Sequence, residues 1–141
     1  METYTLDKYI SVGCVTASSF PEGIAAAHEQ LHKAVPLNAL RRFFGISYPG
    51  KDGNIIYKAA AEELYENELA WYKLEKFIIP AGEYLSVVLK DYPKDISMVD
   101  KTFKQLLADP RIDPRGFCLE WYLEANDMRC MVRLKDNLEK T

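Results

Sequence analysis

Residues 83–89 read Glu-Tyr-Leu-Ser-Val-Val-Leu, a short run rich in β-branched and aromatic side chains that predicts a strand. A similar run, Tyr-Ile-Ser-Val-Gly-Cys-Val, occupies residues 9–15. Sliding the chain by 75 positions (84 − 9) sets Tyr9 on Tyr84, Ser11 on Ser86 and Val12 on Val87 without a gap. The same shift lays each following segment on a counterpart, and such internal repetition decides a fold before any motif does.

Working outward, a helix is expected after residues 16–19, with Ile24, His28, Leu31 and Val35 on one stripe and Pro36 ending it. Two strands follow, 42–48 (RFFGISY) and 54–59 (NIIYKA), joined by the hairpin chemistry of Pro49-Gly50-Lys51-Asp52-Gly53. The second half repeats the order. A turn at 93–95 precedes a helix over 96–108 with Val99, Phe103, Leu106 and Leu107 inward. A turn-rich connection over 109–116 leads to the strands 117–123 (FCLEWYL) and 129–134 (RCMVRL), paired around 124–127. Ile24 thus meets Val99, Phe44 meets Leu119, Ile46 meets Trp121, and Asp52 meets Asp127. The expected fold is α+β: a duplicated β-α-β-β unit with pseudo-twofold symmetry. Its antiparallel sheet carries helices on one face and a ligand cleft on the other. The repeats run over about 8–59 and 82–134 within a single domain of 1–141. The connecting segment 60–81 either continues the preceding strand or turns helical at its start. Its end alternates as an extended segment would, and its aromatic density (Tyr65, Trp71, Tyr72) suits a cover for one sheet edge. The charged tail 135–141 is expected to fray.

Composition narrows the class. The 141 residues are 48% hydrophobic and 28% charged, which supports a packed core and excludes general disorder. A net charge of -3 and a pI near 5.4, without a Lys/Arg run, argue against direct nucleic-acid binding. No stretch approaches the length of a membrane span, and no leader is evident, so a soluble, cytoplasmic protein is expected. Cys14, Cys118 and Cys130 are widely spaced within apolar runs and read as buried thiols.

Strand alternation assigns chemistry to faces. Phe117, Leu119, Trp121 and Leu123 form a fully apolar set suited to packing under the helices. Cys118, Glu120 and Tyr122 form the other, expected to join Phe43, Gly45 and Ser47 with Tyr9, Ser11, Tyr84 and Ser86. Such a mixture of aromatic, small and hydroxyl side chains around one carboxylate suits a small-molecule cleft. Glu120 could be a solvated surface glutamate. It could instead be enclosed, and then serve as a partner for a cationic ligand or as a general acid or base. Tyr57, Tyr65 and Trp71 are candidates for further walls.

The run Ile79-Pro80-Ala81-Gly82-Glu83-Tyr84, followed by a helix and then Phe117-Cys118-Leu119-Glu120-Trp121-Tyr122-Leu123, resembles the GyrI-like family. This is the effector-binding domain of bacterial multidrug-responsive transcription activators. The resemblance implies two β-α-β-β units with a ligand cleft between them. It also implies a signature glutamate followed two residues on by tyrosine, corresponding to Glu120 and Tyr122. What it implies for function is binding of lipophilic, cationic or aromatic compounds by a stand-alone sensor or sequestering domain involved in transcription regulation. The ligand-binding set would be Glu120, Tyr122, Cys118, Tyr84, Phe43, Tyr57 and Trp71, with no cofactor and no metal. Some relatives instead hydrolyse reactive electrophiles with a glutamate and aromatic partners, which would make Glu120 catalytic. Others inhibit DNA gyrase, so a protein partner is a further possibility. No helix-turn-helix precedes Tyr9, so the chain is not expected to bind DNA itself. The last strand ends Met131-Val132-Arg133-Leu134 where the family commonly has a proline-containing ending.

One motif competes. His28-Glu29-Gln30-Leu31-His32 matches HExxH, the pattern of a helical zinc site. The charged Lys33 follows it, no third-ligand motif accompanies it, and the 75-residue shift sets His28 on Phe103 and His32 on Leu107. These positions read as a helix edge that tolerates imidazole.

Overall fold

The computed structural model describes residues 1–36 and 38–135; of the tail expected to fray, 136–141 lie outside the described residues. The fold is α+β and antiparallel. Among the described residues it holds eight strands and three helices, and the chain divides into two compact units. Unit I is Tyr9–Pro80, and unit II combines Met1–Lys8 with the chain from Ala81 onward.

Unit I carries β2 (Ile10–Thr16), α1 (Ile24–Ala34), β3 (Phe43–Pro49), β4 (Ile55–Glu62), α2 (Glu68–Trp71) and β5 (Glu75–Ile79), with strand order β3-β4-β2-β5. Unit II carries β1 (Glu2–Leu6), β6 (Gly82–Leu89), α3 (Ser97–Leu107), β7 (Cys118–Tyr122) and β8 (Met128–Arg133), in the order β7-β8-β6-β1. Each unit therefore contains the expected β-α-β-β order, β2-α1-β3-β4 and β6-α3-β7-β8. Each adds one strand on the free side of its leading strand: β5 beside β2, and β1 beside β6.

Local chemistry explains the elements. Gly53, at φ 85, closes the β3–β4 connection, where Gly50 N–H donates to the Asn54 carbonyl at 2.7 Å. In the β7–β8 turn both Ala125 and Asn126 have positive φ, the twist that matches a tight antiparallel pair. The Ala59-Ala60-Ala61 run favours helix in isolation but stays in β4, hydrogen-bonded between β3 and β2. Its small side chains let α1 lie close: Ala59 and Ala61 pack with Ala27, Leu31 and Val35 of α1 and its C-terminus. On α3 the buried stripe is Thr102, Phe103 and Leu106, whereas Leu107, expected inward, is 55% exposed. The buried arc from Thr102 to Phe103 spans about 100° and is centred near Leu106, and Leu107 falls outside it.

The stretch after β4 is held by a buried ion pair. Arg41 donates to both oxygens of Glu68, at 2.9 and 2.7 Å, and to the Glu62 carbonyl at 2.7 Å. Glu68 also accepts from the Leu64 N–H at 2.8 Å. The hydrogen bonds from Arg41 hold the Glu68 carboxyl below its ordinary range despite burial. This fixes the four-residue α2, which propensity alone would leave unformed. Leu69 and Leu74 then close over Gly13, where a Cβ would lie 2.5 and 2.9 Å from their methyl carbons.

One gap-free shift does not describe the duplication. Helix and hairpin positions keep their faces under 75 residues, but the leading strands do not. In β2 the helix-side residue is Val15, opposite Ala59; in β6 the helix-side residues are Leu85, Val87 and Leu89, opposite Val132, Cys130 and Met128. Val15, Leu85, Val87 and Leu89 are all odd-numbered, so an odd shift sets each residue of one leading strand on the wrong face of the other. The matches of Tyr9, Ser11 and Val12 with Tyr84, Ser86 and Val87 are therefore not structural equivalences.

Candidate functional site

Register decides what surrounds Glu120. On β7, Cys118, Glu120 and Tyr122 stand opposite Val132, Cys130 and Met128 of β8. Those β8 residues belong to the cluster built around Phe103 and Leu106 of α3, and Cys118 and Tyr122 pack against the same cluster. The Glu120 set thus faces the helix, whereas Leu119 and Trp121, expected under it, face away. The reason is physical: alternation says which residues travel together, not which way they point. Here both faces are shielded; on the far face Leu119, Met131, Tyr84 and Ser86 are at most 1% exposed.

Glu120 itself is half-buried, and the Tyr122 hydroxyl donates to its Oε1 at 2.7 Å. The Tyr122 ring lies 6.1 Å from that of Tyr92, tilted by 48°. Tyr92 opens the 3-10 turn Tyr92–Asp95 between β6 and α3. Burial first, and the Glu120 charge second, raise the Tyr92 phenol above its ordinary value. Burial likewise pushes the Cys130 thiol up to about 12, with Glu120 and Cys118 adding to it. A carboxylate bordered by two phenols and two thiols is a low-polarity anionic site. It can attract a cation against aromatic faces, or exchange a proton with a neighbouring hydroxyl. Tyr92 was missed in the sequence because it stands outside any strand or helix stripe, in a turn.

Of the remaining predicted site residues, Tyr84 belongs to unit II, and Phe43, Tyr57 and Trp71 belong to unit I. Tyr84 lies on the opposite face of unit II, fully buried, its phenol pushed up to about 12 by desolvation. There the Tyr4 and Trp121 rings meet edge-on at 5.7 Å, and the Arg129 guanidinium covers Tyr4 at 4.4 Å while donating to Glu2 and Ser86. Phe43 and Tyr57 belong to unit I, in the cluster under α1. Trp71, proposed as a wall, is 79% exposed at the end of α2; its neighbour Tyr72 packs against that cluster instead. Tyr65 is exposed as well.

The HExxH side chains are engaged in packing. His28 Nε2 and the Tyr57 hydroxyl lie 2.8 Å apart, and burial, then the charge of His32, lowers the His28 ring to about 4. His32 lies against the Phe43 ring at 4.8 Å, and Glu29 pairs with Lys33 at the surface. Among the described residues, no group of three or more His, Cys, Asp or Glu side chains is placed to hold a metal ion. Among the described residues, no helix is long and apolar enough to cross a membrane.

These two β-α-β-β units, each widened by one edge strand, define a fold shared with solved structures. An integron cassette protein from the mobile metagenome of Vibrio cholerae superposes with a TM-score of 0.70 at 14% identity, covering 95% of each chain. SAV2435 bound to tetraphenylphosphonium gives 0.59 at 14% identity, covering 95% of this chain and 93% of that one. A hydrolase from Listeria innocua gives 0.56 at 9% identity, covering 95% and 90%. No protein-family model and no curated protein matches the sequence.

Proposed function

We propose that this protein is a GyrI-like small-molecule-binding domain that takes up lipophilic cations or cationic aromatic compounds at Glu120, as a cytoplasmic sensor or sequestering protein. The observation that carries this reading is the half-buried Glu120 carboxylate bordered by Tyr122, Tyr92, Cys118 and Cys130. Aromatic faces bind the apolar body of such a ligand, and the carboxylate selects for positive charge. That SAV2435, of similar fold, was solved bound to tetraphenylphosphonium supports the choice of cation as a probe. At an effective dielectric of about 20, a cation about 5 Å from the carboxylate gains ~3 kcal/mol, and solvent at a half-exposed site reduces this to ~1–2 kcal/mol. Calorimetric titration with tetraphenylphosphonium should therefore show Glu120→Gln weakened about tenfold, with a neutral triaryl analogue bound equally by both. Equal cation affinity in the two proteins refutes the assignment.

A second reading, hydrolysis of a reactive electrophile, draws on the Tyr122 hydroxyl donating to Glu120, a pair able to relay a proton. A fold likeness to a hydrolase is compatible with it. Product formed at catalytic protein concentration, and abolished by Glu120→Gln, would favour turnover over sequestration.

A further inference from the structure

We infer that Asp127 is a positioning residue for the Glu120 site, acting through the backbone of Asp91 to hold the Tyr92 ring against Tyr122. This rests on the reading of Glu120 as a ligand site. Asp127 lies in the β7–β8 turn, far in sequence from Tyr92. Its Oδ1 accepts the Asp91 N–H at 2.9 Å, and its Oδ2 accepts Lys90 Nζ at 3.1 Å. These two bonds, the Asp91 N–H first, hold the Asp127 carboxyl below its ordinary range. Its side chain is 15% exposed, whereas that of Lys90 is 82% exposed, so the backbone bond is the sheltered one.

Asp91 is where the chain turns. Its φ of 47° and ψ of 54° place it in the left-handed region, which a non-glycine residue occupies only when its surroundings hold it there. The 3-10 turn begins at the next residue, so the Asp91 conformation sets where the Tyr92 side chain emerges. Tyr92 reaches Tyr122, and Tyr122 donates to Glu120. A carboxylate in one turn thereby fixes a strained residue in another, and through it one aromatic wall of the site. The hairpin aspartate of unit I has no such role: Asp52 bonds the N–H and amide of Asn54 within its own turn.

The test combines ligand-free and ligand-bound readouts on the full chain. Without ligand, Asp127→Ala should lose the ring-to-ring nuclear Overhauser contact between Tyr92 and Tyr122, and the Tyr92 phenol should return towards 10 in a pH titration. Asp127→Asn, which keeps an acceptor for the Asp91 N–H, should preserve both. With tetraphenylphosphonium as probe, Asp127→Ala should weaken binding about tenfold, within the range for directly coupled residues, while Asp127→Asn stays within about threefold. In a Tyr92→Ala background Asp127→Ala should cost nothing further, because the element it positions is gone. An intact Tyr92–Tyr122 contact in Asp127→Ala overturns the inference, as does an undiminished loss of affinity in the Tyr92→Ala background. Wild-type binding that ignores Glu120→Gln refutes the site reading instead. The ring contact and the phenol titration then still report whether Asp127 holds Tyr92.

Discussion

Lowering the pH from 7.5 to 5.0 should weaken the fold through one ring, that of His28. In the folded chain it is half-buried beside the Tyr57 hydroxyl and titrates near 4, against 6.5 for the free side chain. A base whose folded value is depressed takes up its proton first in the unfolded state. The stabilisation is therefore complete above pH 6.5 and declines as the pH falls towards 4. At pH 5.0 the unfolded ring is protonated by about thirty to one and the folded ring by about one to ten, a difference of ~2 kcal/mol. Partial solvent screening of a half-buried ring lowers this to about 1–2 kcal/mol. The carboxylates of Glu68 and Glu75, both held below their ordinary 4.5, keep their contributions down to that value and lose them only below it. Neither of these two carboxylates therefore contributes a loss between pH 6.5 and 5.0. Urea unfolding at the two pH values measures the drop, with an unchanged slope showing that the same surface is exposed. The comparison is His28→Phe with Tyr57→Phe, which places at position 28 the residue found at 103 and leaves no hydroxyl without a partner. If the double variant retains the full loss, or the wild type shows none, the reasoning about His28 is refuted.

Other expectations follow from packing and burial. Glu68→Gln should cost about 3–5 kcal/mol by leaving Arg41 buried beside a neutral amide, whereas Arg41→Met with Glu68→Leu should cost far less, measured by thermal unfolding. Gly13→Ala should destabilise by about 1–3 kcal/mol, because the new methyl meets Leu69 and Leu74; Leu69→Ala should relieve that increment. Cys14 and Cys130, both raised to about 12 chiefly by burial, should resist iodoacetamide at pH 8 in the native protein and react only after unfolding. Prompt alkylation of either would mean that its strand opens readily.

The β-α-β-β order was legible because each element has its own local signal: β-branched runs for strands, a stripe for each helix, glycine and proline at the hairpins. The face of Glu120 was not. Alternation along residues 117–123 separated the two sets correctly, but both faces are covered, and only the β8 register says that Cys118 and Tyr122 meet the cluster of Phe103. The same limit undid the 75-residue alignment at the leading strands, where three identities suggested equivalence and the ladder refused it. The Arg41–Glu68 pair, 27 residues apart, left no trace in sequence, because a buried ion pair is a tertiary fact. Asp127 stood out only as one of several turn residues. That it reaches Asp91 depends on two turns being brought side by side by the β6–β8 pairing.

The edge strands carry a consequence for how the polypeptide is made. Every strand of unit I comes from one uninterrupted run of chain, so it can close as soon as β5 has left the ribosome. Unit II cannot: its edge strand β1 is synthesised first and its partner β6 only after all of unit I. Glu2–Leu6 is therefore expected to wait, unpaired, until β6 emerges. Protease pulses on stalled nascent chains should find residues 1–8 cleavable while β2 to β5 are already protected.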